Sequence, residues 1–508
     1  MFKSVLKLFL RTKALVGFYG AFLLFVLFFA ARQFMSDPGI DGILGACTAP
    51  LSFSIFAFVL FAFIAYEFGC FCKRYSFEEC LRSTHNGYQK FIMVQGLWLL
   101  VLVFVFLLLM LIWNLLLCVR YDIWRTDYIV QMFLNVLLSF FLIPCFGALF
   151  GFTASKSVKR INAYLLLVLF TLLCSPLANR LGNIIYEFGI NIYPFLNIFD
   201  LFPPALNWRP VAAFGHSVLP YRWVLTGFWA LLSLGLLFWK MSEKRRRIRF
   251  SGILVSLGFG ALCFSLFLQP ASKLLLASDD PKASIMADWD YYMQKHKDIS
   301  ETAATFEIKE YDLEFTVGRE LRATAVLKID KNNLNEYPLT LYHGYRIQSV
   351  ADGNGQALSY AQEGDAVTVY NPGGQIINEI CITYHGYSGI CYSNLQGVFL
   401  PGYFPYYPHS GHQPVYNREQ YGYERFVLEN PVLFKVKINS AQTVYCNLTS
   451  DGNNTFTGQS TGLTLLSGLY DAVTVDGVMV VYPYLYTSEI YNRNDYGIYS
   501  YSYRNSGA

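Results

Sequence analysis

The chain has 508 residues, of which 54% are hydrophobic, 18% aromatic and only 15% charged, with a formal net charge of +4. Soluble globular proteins carry about 25% charged residues, so these proportions argue against an ordinary soluble enzyme, and at ~100–200 residues per domain the length calls for more than one domain. The average conceals a seam: residues 1–270 carry a net +13 and residues 271–508 a net −9.

Residues 2–13 place Phe2, Val5, Leu6, Phe9 and Leu10 on one helical face and turn Lys3, Lys7 and Arg11 away. This is the pattern of a short helix lying in a membrane interface. Seven apolar stretches follow, at 14–31, 51–71, 92–118, 129–153, 164–178, 223–239 and 252–269. Each approaches the ~20 residues needed to cross a bilayer. The fifth is the weakest, because Pro176 cuts it to 15 residues; its helix is expected to begin in the preceding basic loop or to run on past the proline. The first stretch exceeds the ~7–15 apolar residues of a secretion signal, and only Ala30-Ala31 hints at a cleavage site. An uncleaved first span is expected.

Loops rich in Lys and Arg stay in the cytoplasm. Alternate loops hold 17 basic residues, ending in Lys240, Lys244, Arg245, Arg246, Arg247 and Arg249, whereas the other set holds six. The N-terminus is therefore expected inside and, after seven crossings, the C-terminal half outside. Glu67 is the only acidic residue within a stretch. It falls near an inner end and is expected to reach toward the headgroups. Gly147-x-x-x-Gly151 has the spacing that permits close helix contact, although such spacing is more often incidental.

The loop after the second span contains Ser76, Phe77, Glu78, Glu79, Cys80, Leu81 and Arg82. Ser76 suits an N-cap, and Glu78 and Glu79 suit the first turn, where negative charge favours the helix dipole. Phe77, Cys80 and Leu81 would form a small apolar face ending before Asn86-Gly87. Such a helix serves equally as a docking surface for a cytoplasmic partner or as a solvated connector.

The segment Phe77-Glu-Glu-Cys-Leu81, Arg82-Ser-Thr84 and Lys90 resembles the loop after the second span of type-2 ABC export permeases, with Cys80 and a missing proline as departures. The amphipathic N-terminus and the broken aromatic stretch within 179–221 resemble further features of that family. The resemblance covers about 1–240. It implies that residues 76–82 couple to a separate ABC ATPase subunit, since no phosphate-binding Gly-x-x-x-x-Gly-Lys-Ser/Thr loop occurs in this sequence. It also implies a second permease subunit, as a homo- or heterodimer, in a bacterial cell membrane, and a transported substrate that it does not identify.

Beyond about 305, short alternating runs at 305–317, 320–329, 339–343, 366–370, 376–385, 432–439 and 462–482 are punctuated by Asp352-Gly, Gly364-Asp, Pro372-Gly-Gly and Asp476-Gly. They predict an all-β sandwich or saddle-like sheet. Tyr311-Asp-Leu313, Gly353-x-Gly355 with Leu358-x-Tyr360, Ile382-x-Tyr-x-Gly386 and the run from Gly397 to Pro408 resemble the N-terminal, non-catalytic β domain of aminopeptidase N-like zinc metallopeptidases. The zinc motif His-Glu-x-x-His is absent from the sequence, and His409-Ser-Gly-His412 is the only close histidine pair. No catalytic residue, cofactor or metal ligand is expected. Cys381, Cys391 and Cys446 fall in this half, where an oxidising space would permit one disulfide among them.

The expected fold class is an α-helical polytopic membrane protein of about seven spans followed by a C-terminal all-β extracellular domain. The expected organisation is an interfacial helix (1–13), a six-span permease-like domain (14–240), a basic loop and seventh span (241–270), a stalk (271–304), the β domain (305–485) and a Tyr-rich tail (486–508). The function expected is that of an exporter permease rather than an enzyme, with no nucleic acid among its partners. The alternative is a membrane-anchored binding or sensory protein whose β domain recognises an external ligand.

Overall fold

A computed structural model describes residues 2–36, 42–74, 78–83, 87–175, 177–188, 190, 192–202, 218–240, 246–269, 291–295, 301–318, 320–331, 333–388, 391–418, 422–475 and 478–486. The chain divides into two compact units, residues 1–210 with 215–273, and residues 274–508 with 211–214.

The first unit is helical, as its uninterrupted apolar runs require. Six helical stretches among the described residues are long and apolar enough to cross a membrane: Lys13–Met35, Gly45–Gly69, Gly87–Arg120, Thr126–Ser157, Pro220–Lys240 and Phe250–Leu268. The remaining expected span is shorter. Its helix starts inside the basic loop at Arg160 and ends at Cys174, and 15 residues at 1.5 Å each reach only about 22 Å, against ~30 Å of hydrocarbon. Beyond Pro176 the chain resumes as a separate helix, Leu177–Glu187, so the proline divides the segment rather than extending it.

The second span, whose long helix is Phe53–Gly69, is the centre of this unit. Ala57, Phe58, Phe61, Ala62, Ile64, Ala65 and Phe68 are almost wholly enclosed. Phe58 meets Phe146, Phe170 and Phe202 at ring-centroid separations of 5.4, 5.9 and 5.4 Å. The Gly147-x-x-x-Gly151 spacing is not incidental here: a Cβ built at Gly147 falls 2.7 Å from the Phe58 carbonyl oxygen, and one at Gly151 would collide with the Ala62 carbonyl. The glycines let two helix backbones touch. The N-terminal helix, Phe2–Arg11, buries Val5 and Phe9 and leaves Leu10 exposed. Phe9 packs edge-on against Phe68 and Trp98.

The second unit is built of sheets. A seven-stranded sheet runs in the spatial order Thr449–Gly452, Thr455–Ser460, Val432–Asn439, Ile308–Val317, Leu321–Ile329, Glu379–Gly386 and Tyr345–Asp352. Its central pair, Ile308–Val317 with Val432–Asn439, is parallel, with Glu310 opposite Leu433 and Phe315 opposite Ile438. A four-stranded sheet contains His409–Ser410, Glu336–Thr340, Ala366–Tyr370 and Ser359–Glu363. Alternation sends Tyr311, Leu313 and Phe315 inward from the first sheet and Tyr337, Leu339, Val367 and Val369 from the second, and all belong to one core cluster. Turn glycines fall where positive φ is needed, at Gly355 (82°) and Gly364 (63°).

Of the stalk, residues 291–295 and 301–304 are described: Tyr291–Lys295 is a single π-helical turn, and Thr302 bridges to His412. Tyr291 stacks on His343 with centroids 3.7 Å apart, and Tyr292 hydrogen-bonds His343 Nδ1 at 3.1 Å. The Tyr-rich tail beyond Tyr486 and the Asp476-Gly turn lie outside the described residues.

Candidate functional site

The expected coupling loop forms a helix over Glu78–Ser83. Ser76 and Phe77 lie outside the described residues, as do the side chains of Glu78, Glu79 and Arg82. Cys80 is exposed and Leu81 buried. The helix therefore has one anchored apolar position and one presented thiol, and the Ser83 hydroxyl closes its end by donating to the Cys80 carbonyl at 2.8 Å.

The basic residues next to this loop mark orientation in the sequence, and in the structure they converge. Four residues before Glu78, Arg74 ends a short helix that follows the second span. Across from it, the fourth span ends at Ser157 and the helix from Arg160 begins. Between them lies an open cleft of about 470 Å³, into which Arg74, Lys156, Lys159 and Arg160 converge beside Ser155 and Ser157.

Glu67 does not extend toward the headgroups as expected. It is buried, accepting a hydrogen bond from Arg74 Nη2 at 2.6 Å and a short one from the Tyr164 hydroxyl. Arg160 Nε lies 3.5 Å from Oε1, the oxygen that accepts from Tyr164. The physical reason is local: two guanidinium groups and a phenol offer the carboxylate partners on the protein side, so it has no need of water or lipid. Glu67 thus ties three elements together at the cleft wall. Lys156 donates to the Gly69 carbonyl at 3.2 Å and lies over the rings of Tyr88 and Phe152. The Lys159 ammonium is exposed and makes no ion pair or hydrogen bond with the described residues.

At the opposite end of the helical unit, Asp200 and Arg222 are both buried. Asp200 accepts from the Tyr221 hydroxyl at 2.6 Å and lies 3.4 Å from Arg222 Nη2. Trp229 Nε1 donates to the Ile198 carbonyl. These contacts pin the broken aromatic stretch to the helix Pro220–Lys240; residues 203–217 lie outside the described part.

In the β domain His343 and His385 each place Nδ1 3.1 Å from a carboxylate oxygen, of Asp365 and Glu320 respectively, and the close pair His409 and His412 serves packing and local hydrogen bonding. His409 is buried between Tyr407 and Phe426, with no partner for Nε2, and burial pushes its pKa from 6.5 down to about 3. His412 Nε2 lies 3.3 Å from the Thr368 hydroxyl and 3.2 Å from the Val367 carbonyl. No group of three or more His, Cys, Asp or Glu that could hold a metal occurs among the described residues. Cys381, Cys391 and Cys446 form no disulfide with one another. Cys381 lies on the face of its strand opposite buried Ile380 and Ile382, while Cys391 and Cys446 join the core. On the sheet's outer face, Glu310 receives Lys435 Nζ at 2.7 Å and Lys328 Nζ at 3.1 Å, and these ammonium groups hold its carboxyl below the usual range.

No family model matches the chain, and no curated protein matches it. Solved structures similar to part of it include an M1 zinc metallopeptidase from Deinococcus radiodurans (18% identity, TM-score 0.24, 36% of this chain and 47% of that one). A two-domain M1 zinc metallopeptidase bound to L-arginine gives 16% identity and TM-score 0.25 over 36% and 48%. Leukotriene A4 hydrolase from Saccharomyces cerevisiae gives 13% identity and TM-score 0.25 over 39% and 35%. The chain spans less than half the length of each of these structures.

Proposed function

We propose that the chain is the transmembrane permease subunit of an ATP-driven, ABC-type exporter, with a non-catalytic, aminopeptidase-like β domain that handles or gates the substrate outside the cell. The order of elements supports this reading. An amphipathic helix precedes the first span, a short helix bearing two acidic residues joins the second and third, and a broken aromatic stretch follows the short fifth helix. The ATPase and a second permease half are separate subunits in this scheme.

The observation that carries the proposal is the helix Glu78–Ser83. It buries Leu81, presents Cys80 and lies in the loop where this layout would meet an ATPase. A buried anchor allows such a helix to transmit a push into the second and third spans, as coupling requires.

The test is co-purification of the full-length chain with an ABC ATPase encoded beside it, before and after the double change Glu78→Lys with Glu79→Lys. Association of the wild-type pair and its loss in the double variant are expected, together with cross-linking to the ATPase from a benzophenone maleimide placed on Cys80. If the wild-type pair never associates, or the charge reversal leaves association intact, the coupling assignment fails.

A further inference from the structure

The basic cleft at the end of the second and fourth spans has no role in coupling as described above, and its chemistry points to a ligand of its own. Arg74, Lys156, Lys159 and Arg160 converge on about 470 Å³ of open space. Glu67 answers Arg74 and Arg160; Lys156 turns to a backbone carbonyl and two rings, and Lys159 has no counter-ion among the described residues. Two lysines beside the exposed hydroxyl of Ser157 can together neutralise and hydrogen-bond a phosphate group, whereas the buried Ser155 hydroxyl is committed to the Phe152 carbonyl.

What lies directly below the cleft narrows the ligand further. The helix Arg160–Cys174 leaves Ile161, Leu165, Val168, Leu169 and Leu172 exposed, at intervals of four, three, one and three residues. This spacing lines them along one helical face. A cation cluster at one end of a continuous apolar stripe matches an amphiphile with an anionic head and hydrocarbon tails. We propose that this cleft is a binding site for an anionic phospholipid, its phosphate held by Lys156 and Lys159 and its chains lying along the Arg160–Cys174 helix. The inference does not depend on the exporter reading, because it needs only the helical unit in a bilayer.

The test is native mass spectrometry of the full-length protein in detergent, titrated separately with dioleoyl phosphatidylglycerol, dioleoyl phosphatidylcholine and inorganic phosphate. The wild type is expected to retain phosphatidylglycerol in preference to phosphatidylcholine. A lysine near an anionic headgroup is worth about a fivefold change in affinity, so Lys156→Gln with Lys159→Gln should cut that preference about 25-fold. Lys159→Arg should preserve it, and Lys13→Gln, removing a cation outside the cleft, should leave it unchanged. An unchanged melting temperature in the double variant would separate lost binding from lost fold; if the double variant melts early, Lys159→Glu alone supplies the comparison. Equal retention of the two lipids, a preference that survives the double change, or saturation by inorganic phosphate with no lipid preference would each overturn the proposal. So would displacement of the lipid preference to an ATPase partner, with the same lysines cross-linking to protein and not to lipid.

Discussion

Gly151 meets Ala62 backbone to backbone: a Cβ at residue 151 would collide with the Ala62 carbonyl group. Four residues earlier Gly147 stands in the same relation to Phe58, so two successive turns of the fourth span lie in the groove of the second. Bringing helices this close multiplies dispersion contacts where no water is available to drive association.

Gly151→Val should therefore push the second and fourth spans apart and cost about 1–3 kcal/mol, the usual penalty of overpacking. Thermal unfolding followed by fluorescence-detected size-exclusion chromatography would show an earlier loss of the monodisperse peak. Gly96→Ala in the third span is the control, since nothing lies within 4 Å of its added Cβ. That change should be neutral or mildly stabilising through helix propensity.

Glu67→Ala leaves Arg74, Arg160 and the Tyr164 hydroxyl without their shared acceptor. A loss of about 1–3 kcal/mol is expected. Glu67→Gln keeps a carbonyl oxygen for Tyr164 and should lose less. The ordering wild type, then Gln, then Ala in melting temperature is the measurement, and an alanine variant as stable as wild type would remove Glu67 from the architecture of the cleft.

His409 makes the β domain sensitive to acid. Because burial holds its folded-state pKa near 3 against 6.5 when exposed, the unfolded chain binds a proton that the folded chain refuses. Stability is then lost progressively as pH falls below about 6.5, by a few kcal/mol before pH 3 is reached. His409→Phe removes the titrating group while keeping an aromatic ring between Tyr407 and Phe426. Hydrogen-exchange protection of peptides around residue 409 in the full-length protein, corrected for the intrinsic slowing of exchange in acid, should fall from pH 7 to pH 5 in the wild type. The phenylalanine variant should show a shallower dependence over the same interval.

Cysteine chemistry tests both topology and the thiol state. Cys446 is buried and its pKa is pushed up to about 12, so it should resist maleimide until the protein is unfolded. Non-reducing electrophoresis should then show no shift attributable to a bond among Cys381, Cys391 and Cys446. Glu429 is exposed. Glu429→Cys should react with a membrane-impermeant maleimide on intact cells, and Cys80 only after permeabilisation. Labelling of the two in the reverse order would invert the expected topology.

Much of the fold was legible because it rests on local patterns. Long apolar runs imply helices wherever backbone groups lack water, and alternation with glycine turns implies strands; the strands Ala366–Tyr370 and Val432–Asn439 fall where the alternation places them. The strands Tyr345–Asp352 and Thr449–Gly452 were not anticipated. Their exposed positions, Arg346, Gln348, Ser349 and all four residues from 449 to 452, blur the alternation because they sit at the sheet's two edges.

The short helix in the expected coupling loop is legible in the sequence because capping and charge act within one turn. The cleft could not be read in this way. Arg74, Lys156, Lys159 and Arg160 are separated by up to 86 positions and appeared only as topological charge, and nothing in their spacing requires them to meet.

By itself the sequence determined that a positively biased, apolar half precedes a negatively biased, tyrosine-rich β half, since hydrophobic run length and charge balance are properties of the chain. Only the tertiary structure decided that Glu67 turns inward to Arg74, Tyr164 and Arg160, that Gly147 and Gly151 weld two spans, and that four cations share one cleft. Each of these depends on which helix faces meet, and that is settled by packing across elements far apart in the chain.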